Sequence, residues 1–192
     1  MSGDIPVVIL TCEGVFAFQS AGPLHPVAAR HLSAFLFYND PDMSLNIGDR
    51  APAISGPDFK LSQHKGETIV VFFFPKADTP GCTTESCDFR DRNKKFTHKG
   101  ATIVGISPDT ADRQSKFAMK YELPYTFVPD PDHKIAEAYG VWKEKKNYGR
   151  TYMGIERTTF LIDGAGKIAK IFPKVRVAGH AQKVLEALDE VG

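Results

Sequence analysis

Apolar and polar positions follow two rhythms along the chain, one of strands and one of helices. Residues 68–74, Thr-Ile-Val-Val-Phe-Phe-Phe, are β-branched or aromatic without a break, and Pro75 closes the run. Such a run predicts a strand buried on both faces. Residues 101–107 predict a second buried strand and 125–128 a short third. A helical pattern runs from Pro80 to about Lys99, with Phe89 and Phe96 inward, Arg90, Arg92, Lys94 and Lys95 on the wet face, and Gly100 as its stop. Further helices are expected over residues 110–121 and 131–139. Residues 158–162 and 167–172, joined by Asp163-Gly-Ala-Gly166, predict an antiparallel hairpin. The last helix, over 178–191, puts Val184, Leu185, Leu188 and Val191 on one face. Strand–helix alternation of this spacing argues for parallel pairing with right-handed crossovers. The expected class is α/β, a mixed central sheet flanked by helices.

The pattern does not extend to the first residues. Val7 to Leu10 is apolar, but Asp4 is the charged side chain before it and Arg30 is the first Lys or Arg, which fits neither a secretory signal nor a transit peptide. Residues 28–38 allow a short helix with Leu32, Phe35 and Leu36 on one side. The expected division is an N-terminal extension over 1–42, a non-native start or disordered, and a domain over 43–192, with Met43 as the natural initiator. Cys12 then reads as an incidental thiol. Residues 46–66 are turn-rich, punctuated by Pro52, Gly56 and Pro57.

Composition narrows the functional classes. A net charge of +1 gives no electrostatic reason to expect nucleic acid or a membrane surface as partner. Three cysteines in 192 residues do not make a secreted disulfide framework and point to a reducing, cytoplasmic compartment. No apolar run approaches the ~18 residues a membrane span needs. The histidines show no ligand spacing with the cysteines, so no metal site is expected, and no Gly-rich phosphate loop follows a strand. Lys143-Glu-Lys-Lys146 reads as a solvated loop, and Trp142 as a packing residue.

The chemistry-bearing stretch follows the first strand. In Asp78-Thr79-Pro80-Gly81-Cys82, Thr79 suits a helix N-cap and Pro80 the first helical position. Cys82 therefore falls in the first turn, where unpaired amides and the helix dipole favour thiolate over thiol. The competing reading is a small buried hydrophobe. Cys87 follows at i+5, about 140° around the axis and about 7.5 Å along it, which puts the two Cα atoms roughly 8.7 Å apart. That exceeds the ~7 Å limit for a disulfide. Either the two sulfurs never bond, or the first turns of the helix unwind when they do.

Pro75-x-x-x-Thr79-x-x-Cys82 resembles the peroxidatic motif of the peroxiredoxins. The wider Phe-Phe-Pro-Lys-Ala-Asp-Thr-Pro-Gly-Cys-Thr-Thr-Glu-Ser-Cys resembles their bacterioferritin comigratory protein, or peroxiredoxin Q, branch. Ile47-Gly-Asp-Arg-Ala-Pro52, Gly140-Val-Trp142 and Gly154-Ile-Glu-Arg157-Thr-Thr-Phe-Leu-Ile-Asp163 agree, so the likeness spans roughly residues 43–192. It implies a thioredoxin-like fold and a peroxidase of hydrogen peroxide and organic hydroperoxides that needs no cofactor. It also implies the site roles. Cys82 is the peroxidatic and Cys87 the resolving cysteine, Thr79 binds the thiolate or the peroxide, Pro75 shields the sulfur, and Arg157 stabilises charge on sulfur and leaving oxygen. Thioredoxin or a similar dithiol protein would be the reductant, and the family is often monomeric. Two alternatives stand beside this: a peroxide sensor or relay using the same cysteine, and a general disulfide oxidoreductase, which the lack of Cys-x-x-Cys disfavours.

Overall fold

The computed structural model describes residues 45–147 and 149–191; the expected helix over 28–38, Cys12 and the expected 1–42 extension lie outside them. The sheet is built around β1 (Thr68–Phe73), which pairs in parallel with β2 (Ala101–Ser107). On the far side of β2 lies β3 (Thr126–Pro129), also parallel. The other flank of β1 is antiparallel, formed by β6 (Thr158–Ile162), beyond which β7 (Ile168–Phe172) pairs with β6. The order is thus β3-β2-β1-β6-β7. The predicted central strand is central, and the predicted hairpin supplies its antiparallel flank.

Residues along β1 divide between two cores, as period-2 alternation requires. Val70, Phe72 and Phe74 face α1 (Pro80–His98), α2 (Ala111–Lys120) and α4 (His180–Ala187), where they meet Phe89, Phe96, Phe117 and Val184. Ile69, Val71 and Phe73 face the opposite layer with Tyr139, Phe160, Ile54 and Phe59. All of 69–74 is at most 1 % exposed, and each such side chain is worth about 1.5–3 kcal/mol of transfer free energy. The layer that holds Phe72 presses closely on β2 as well. A Cβ at Gly105 would stand 2.6 Å from the Phe127 ring and 2.8 Å from that of Phe72, so only glycine fits there.

Several boundaries differ from expectation for visible reasons. The helix expected over 131–139 shortens to α3 (Lys134–Ala138), because Asp130 accepts the Ile135 and Ala136 amides and His133 takes a left-handed φ of 60°. The last helix starts after Gly179, at φ 69°, and tightens into a 3-10 turn over Leu188–Glu190. The larger correction concerns Lys143–Lys146, expected as a loop. These residues belong to β4 (Trp142–Asn147), which pairs antiparallel with β5 (Arg150–Ile155) in a separate two-stranded sheet. Its outer stretch is largely exposed and charged, so no apolar alternation announced it; the backbone ladder and Gly149, at φ 75°, carry the hairpin. Trp142 does pack, stacking on His133 with ring centroids 3.7 Å apart. Among the described residues no helix is long and apolar enough to cross a membrane.

Candidate active site

The segment that carries Cys82 is set by the end of β1. Phe74 still donates to Ile106 O at 3.0 Å, and the chain then turns away through exposed Pro75. Asp109, just past β2, holds this turn. Its Oδ2 accepts the Ala77 amide at 2.7 Å, and its Oδ1 pairs with Arg113 Nε at 3.0 Å. Arg113 Nη2 in turn donates to Ala77 O at 3.3 Å, so both polar groups of one peptide position are engaged. Asp78 follows at φ 62° and is gripped from α2 by Lys120 Nζ at 2.8 Å and Tyr121 Oη at 2.7 Å.

Thr79 occupies the N-cap position with extended backbone, but its side chain does not cap the helix. The left-handed step at Asp78 folds the turn back, and the hydroxyl donates to Lys76 O at 3.0 Å. Thr79 O accepts the Thr83 amide at 2.8 Å, the first helical bond. With Pro80 lacking an N–H, the amides of Gly81 and Cys82 are the donors that the helix geometry leaves without intrahelical partners.

Cys82 heads the inward stripe of α1, which continues through Glu85, Ser86, Phe89 and Phe96. It is 1 % exposed. Arg157, in the joint between β5 and β6, reaches over the first helical turn, and its Nη2 donates to Cys82 Sγ at 3.2 Å. Its backbone is held on both sides: Glu156 N donates to Val141 O at 2.7 Å, and Arg157 O accepts from Val175 N at 2.9 Å. Nη1 donates to Glu85 Oε2, so one guanidinium bridges carboxyl and sulfur. Burial lowers the Arg157 pKa, but the negative charges of Glu85 and Cys82 outweigh it, and the net shift is upward. Burial also pushes the Glu85 carboxyl up to about 7, against the pull of Arg157. Among the described residues, Glu85 Oε1 has no hydrogen-bond partner.

Cys87 lies on the same helix, half-buried, and both cysteines are free thiols. One residue before it, Ser86 O accepts from Tyr125 Oη at 2.7 Å. Arg90 and Arg92, expected on the wet face, are half-buried and turn elsewhere, Arg90 to Tyr121 O at 2.8 Å and Arg92 to Gln182 at 3.3 Å. The structure therefore brings Arg157, Cys82 and the first turn of α1 together, with Thr79 and Pro75 on the entering turn.

Residues 41–171 match the model of the AhpC/TSA family. The chain belongs to this family. It is 47% identical over 154 residues to peroxiredoxin Bcp of Bacillus subtilis, covering 78% of this chain and 98% of the relative. It is 41% identical over 151 residues to peroxiredoxin Bcp of Escherichia coli K12, covering 76% and 97%. A solved structure of Xanthomonas campestris bacterioferritin comigratory protein, studied for its alkyl peroxide reduction activity, shares 40% identity at a TM-score of 0.66, covering 69% of this chain and 84% of that one. Thioredoxin-like peroxiredoxins are thus its structural neighbours, as the motif predicted.

Within this AhpC/TSA-family site, sequence reasoning passed over Glu85, Asp109 and Tyr125. Glu85 had a signal: it lies at i+3 from Cys82, on the stripe that Phe89 and Phe96 continue, where a carboxylate is out of place unless paired. Asp109 and Tyr125 act from other elements on backbone groups, and no local pattern marks them.

Proposed function

We propose that this peroxiredoxin is a thiol-specific peroxidase of hydrogen peroxide and organic hydroperoxides with Cys82 as its nucleophile. The observation that carries the reading is the Arg157 guanidinium on Cys82 Sγ at the amino end of α1. A cation and free helix-end amides around one buried sulfur favour negative charge on it. The sulfur attacks the terminal oxygen of a hydroperoxide; the S–O bond forms as the O–O bond breaks, and the departing oxygen takes a proton to leave as water or alcohol. Cys82 is left as a sulfenic acid. Arg157 also faces the charge that grows on the departing oxygen, the type of stabilisation with most leverage on such a barrier. With its proton committed to Lys76 O, the Thr79 hydroxyl acts toward a peroxide as acceptor for its O–H. Pro75 screens the sulfur from water at the mouth of the turn.

Cys87 resolves the sulfenic acid. Its sulfur attacks Cys82 Sγ, hydroxide leaves as water, and an intramolecular disulfide remains for thioredoxin or a similar dithiol protein to reduce. In the continuous helix the two Cα atoms are roughly 8.7 Å apart, so the turns between them open for this step. We place the enzyme in the cytoplasm as a monomer. A built-in resolving thiol favours turnover over the role of sensor that passes oxidation to a partner. Peroxide consumption coupled to thioredoxin, thioredoxin reductase and NADPH tests the scheme. Cys82→Ser is expected to be inactive, and Cys87→Ser to form sulfenic acid without cycling. Peroxide consumption by Cys82→Ser at the wild-type rate would overturn it.

A further inference from the structure

The β4–β5 hairpin brings one more cation to the strand end that leads into Arg157. Lys145 pairs across the hairpin with Tyr152, and both side chains lean over Gly154: a Cβ at Gly154 would lie 3.6 Å from Lys145 Cδ and 3.4 Å from the Tyr152 ring. The Lys145 ammonium then donates to Ile155 O, two residues before Arg157. Its neighbour Lys143 pairs with Glu156 at 3.0 Å, and Arg157 pairs with Glu85. Glu156 and Glu85 thus each have a cation of their own. Among the described residues Lys145 has no carboxylate partner; its bond is to a neutral carbonyl. Burial lowers its pKa, and it feels the charges of Glu156, Arg157 and Cys82.

We propose that Lys145 is the second cation of the sulfur site, holding negative charge at Cys82 and on the departing oxygen through space, without touching either. This rests on the peroxidase reading above. Arg157 is engaged on two sides by Glu85 and Cys82, so its charge is shared; Lys145 restores a net positive field over the first turn of α1. A solvated Lys on an open hairpin would do neither.

The test measures sulfenic acid formation from hydrogen peroxide by rapid mixing at neutral pH, in the full chain. Lys145→Met and Lys145→Gln are expected to slow this step about tenfold, equivalent to 1.36 kcal/mol on its barrier. Lys145→Arg is expected to restore most of the rate, and Lys146→Met, at an exposed neighbouring position, to leave it unchanged. Two results overturn the proposal: wild-type rates in Lys145→Met, or a loss that Lys145→Arg shares, which marks a structural role for the lysine itself. The wild-type trace separates the two levels. If wild-type protein forms no sulfenic acid, the peroxidase reading falls; if it does and the variants match it, only the assignment of Lys145 falls.

Discussion

Tyr125→Phe isolates one hydrogen bond at the point where the proposed cycle must open. The phenol donates to Ser86 O at 2.7 Å, one residue before Cys87, while the ring packs against Phe72 at 5.9 Å and Phe127 at 5.3 Å. Phenylalanine keeps the ring and loses the donor. Burial pushes the Tyr125 pKa far up, so the group is a donor throughout the accessible pH range. Ser86 O stays within the helix and keeps its intrahelical partner, so the loss is near the net value of one hydrogen bond, about 1 kcal/mol. If the turns between Cys82 and Cys87 open for disulfide closure, that energy is released from the closed side of the equilibrium alone. The opened population then rises about fivefold, since 1.36 kcal/mol is tenfold. A peroxide pulse followed by thiol trapping and mass analysis reads both steps. Sulfenic acid formation should keep its rate, disulfide closure should accelerate up to about fivefold, and Tm should fall by roughly 2–4 °C. Closure at the wild-type rate in a protein with lowered Tm would refute the reasoning, because the bond would then persist while the disulfide forms.

Two buried groups make opposite contributions to stability against pH. Glu85 is raised to about 7 from 4.5, so the folded state holds a proton that the unfolded state has released, and stability falls as pH rises through that window. His180, bonded to Thr159 Oγ1 at 2.8 Å, is lowered to about 4 from 6.5, chiefly by burial; its contribution is complete above 6.5 and is lost as pH falls toward 4, on the order of 3 kcal/mol. The slopes oppose one another, so denaturant titrations of Glu85→Gln should show stability climbing with pH from 4.5 to 6.5 more steeply than wild type; an unchanged slope refutes the Glu85 assignment. His180→Gln should lose the acid-side decline, and a decline as steep as wild type would refute the His180 contribution. Gly105→Ala forces a methyl against Phe127 and Phe72 and should cost about 1–3 kcal/mol in the same titrations. A neutral result there would mean that the two rings can give way.

The strands of the main sheet were legible because each carries its own signal. The run over 69–74 is apolar at every position, and only a strand covered on both faces buries such a run. The hairpin of β6 and β7 was legible from Asp163-Gly-Ala-Gly166, and Asp163 Oδ1 does accept the Ala165 and Lys167 amides. β4 and β5 were illegible for the converse reason: Lys143 to Lys146 bury little, and pairing across a turn leaves no trace in local hydropathy. At the site, the thiol and its helix start could be read from Thr79-Pro80-Gly81-Cys82, since position in a first turn is a local property. Arg157 needed the pairing of β6 with β1 to reach the sulfur, and its selection relied on family resemblance. Thr79 takes the N-cap position that the sequence suggested, but its hydroxyl turns to Lys76, because Asp78 adopts a left-handed φ that an aspartate tolerates without requiring it. Asp109 and Tyr125 grip backbone atoms from a distance, and composition is blind to that.

The grip of Asp109 and Arg113 on Ala77 has a mechanical corollary. Upstream, the peptide at Ala77 is pinned through both its N–H and its C=O; downstream, Phe89 is sunk between Phe72 and Phe96. Whatever uncoils between the two sulfurs does so as a short tether fastened at each end, while the sheet beneath stays put. Such a hinge has a small swing and little slack to wind back, which suits a part that must reset after every turnover.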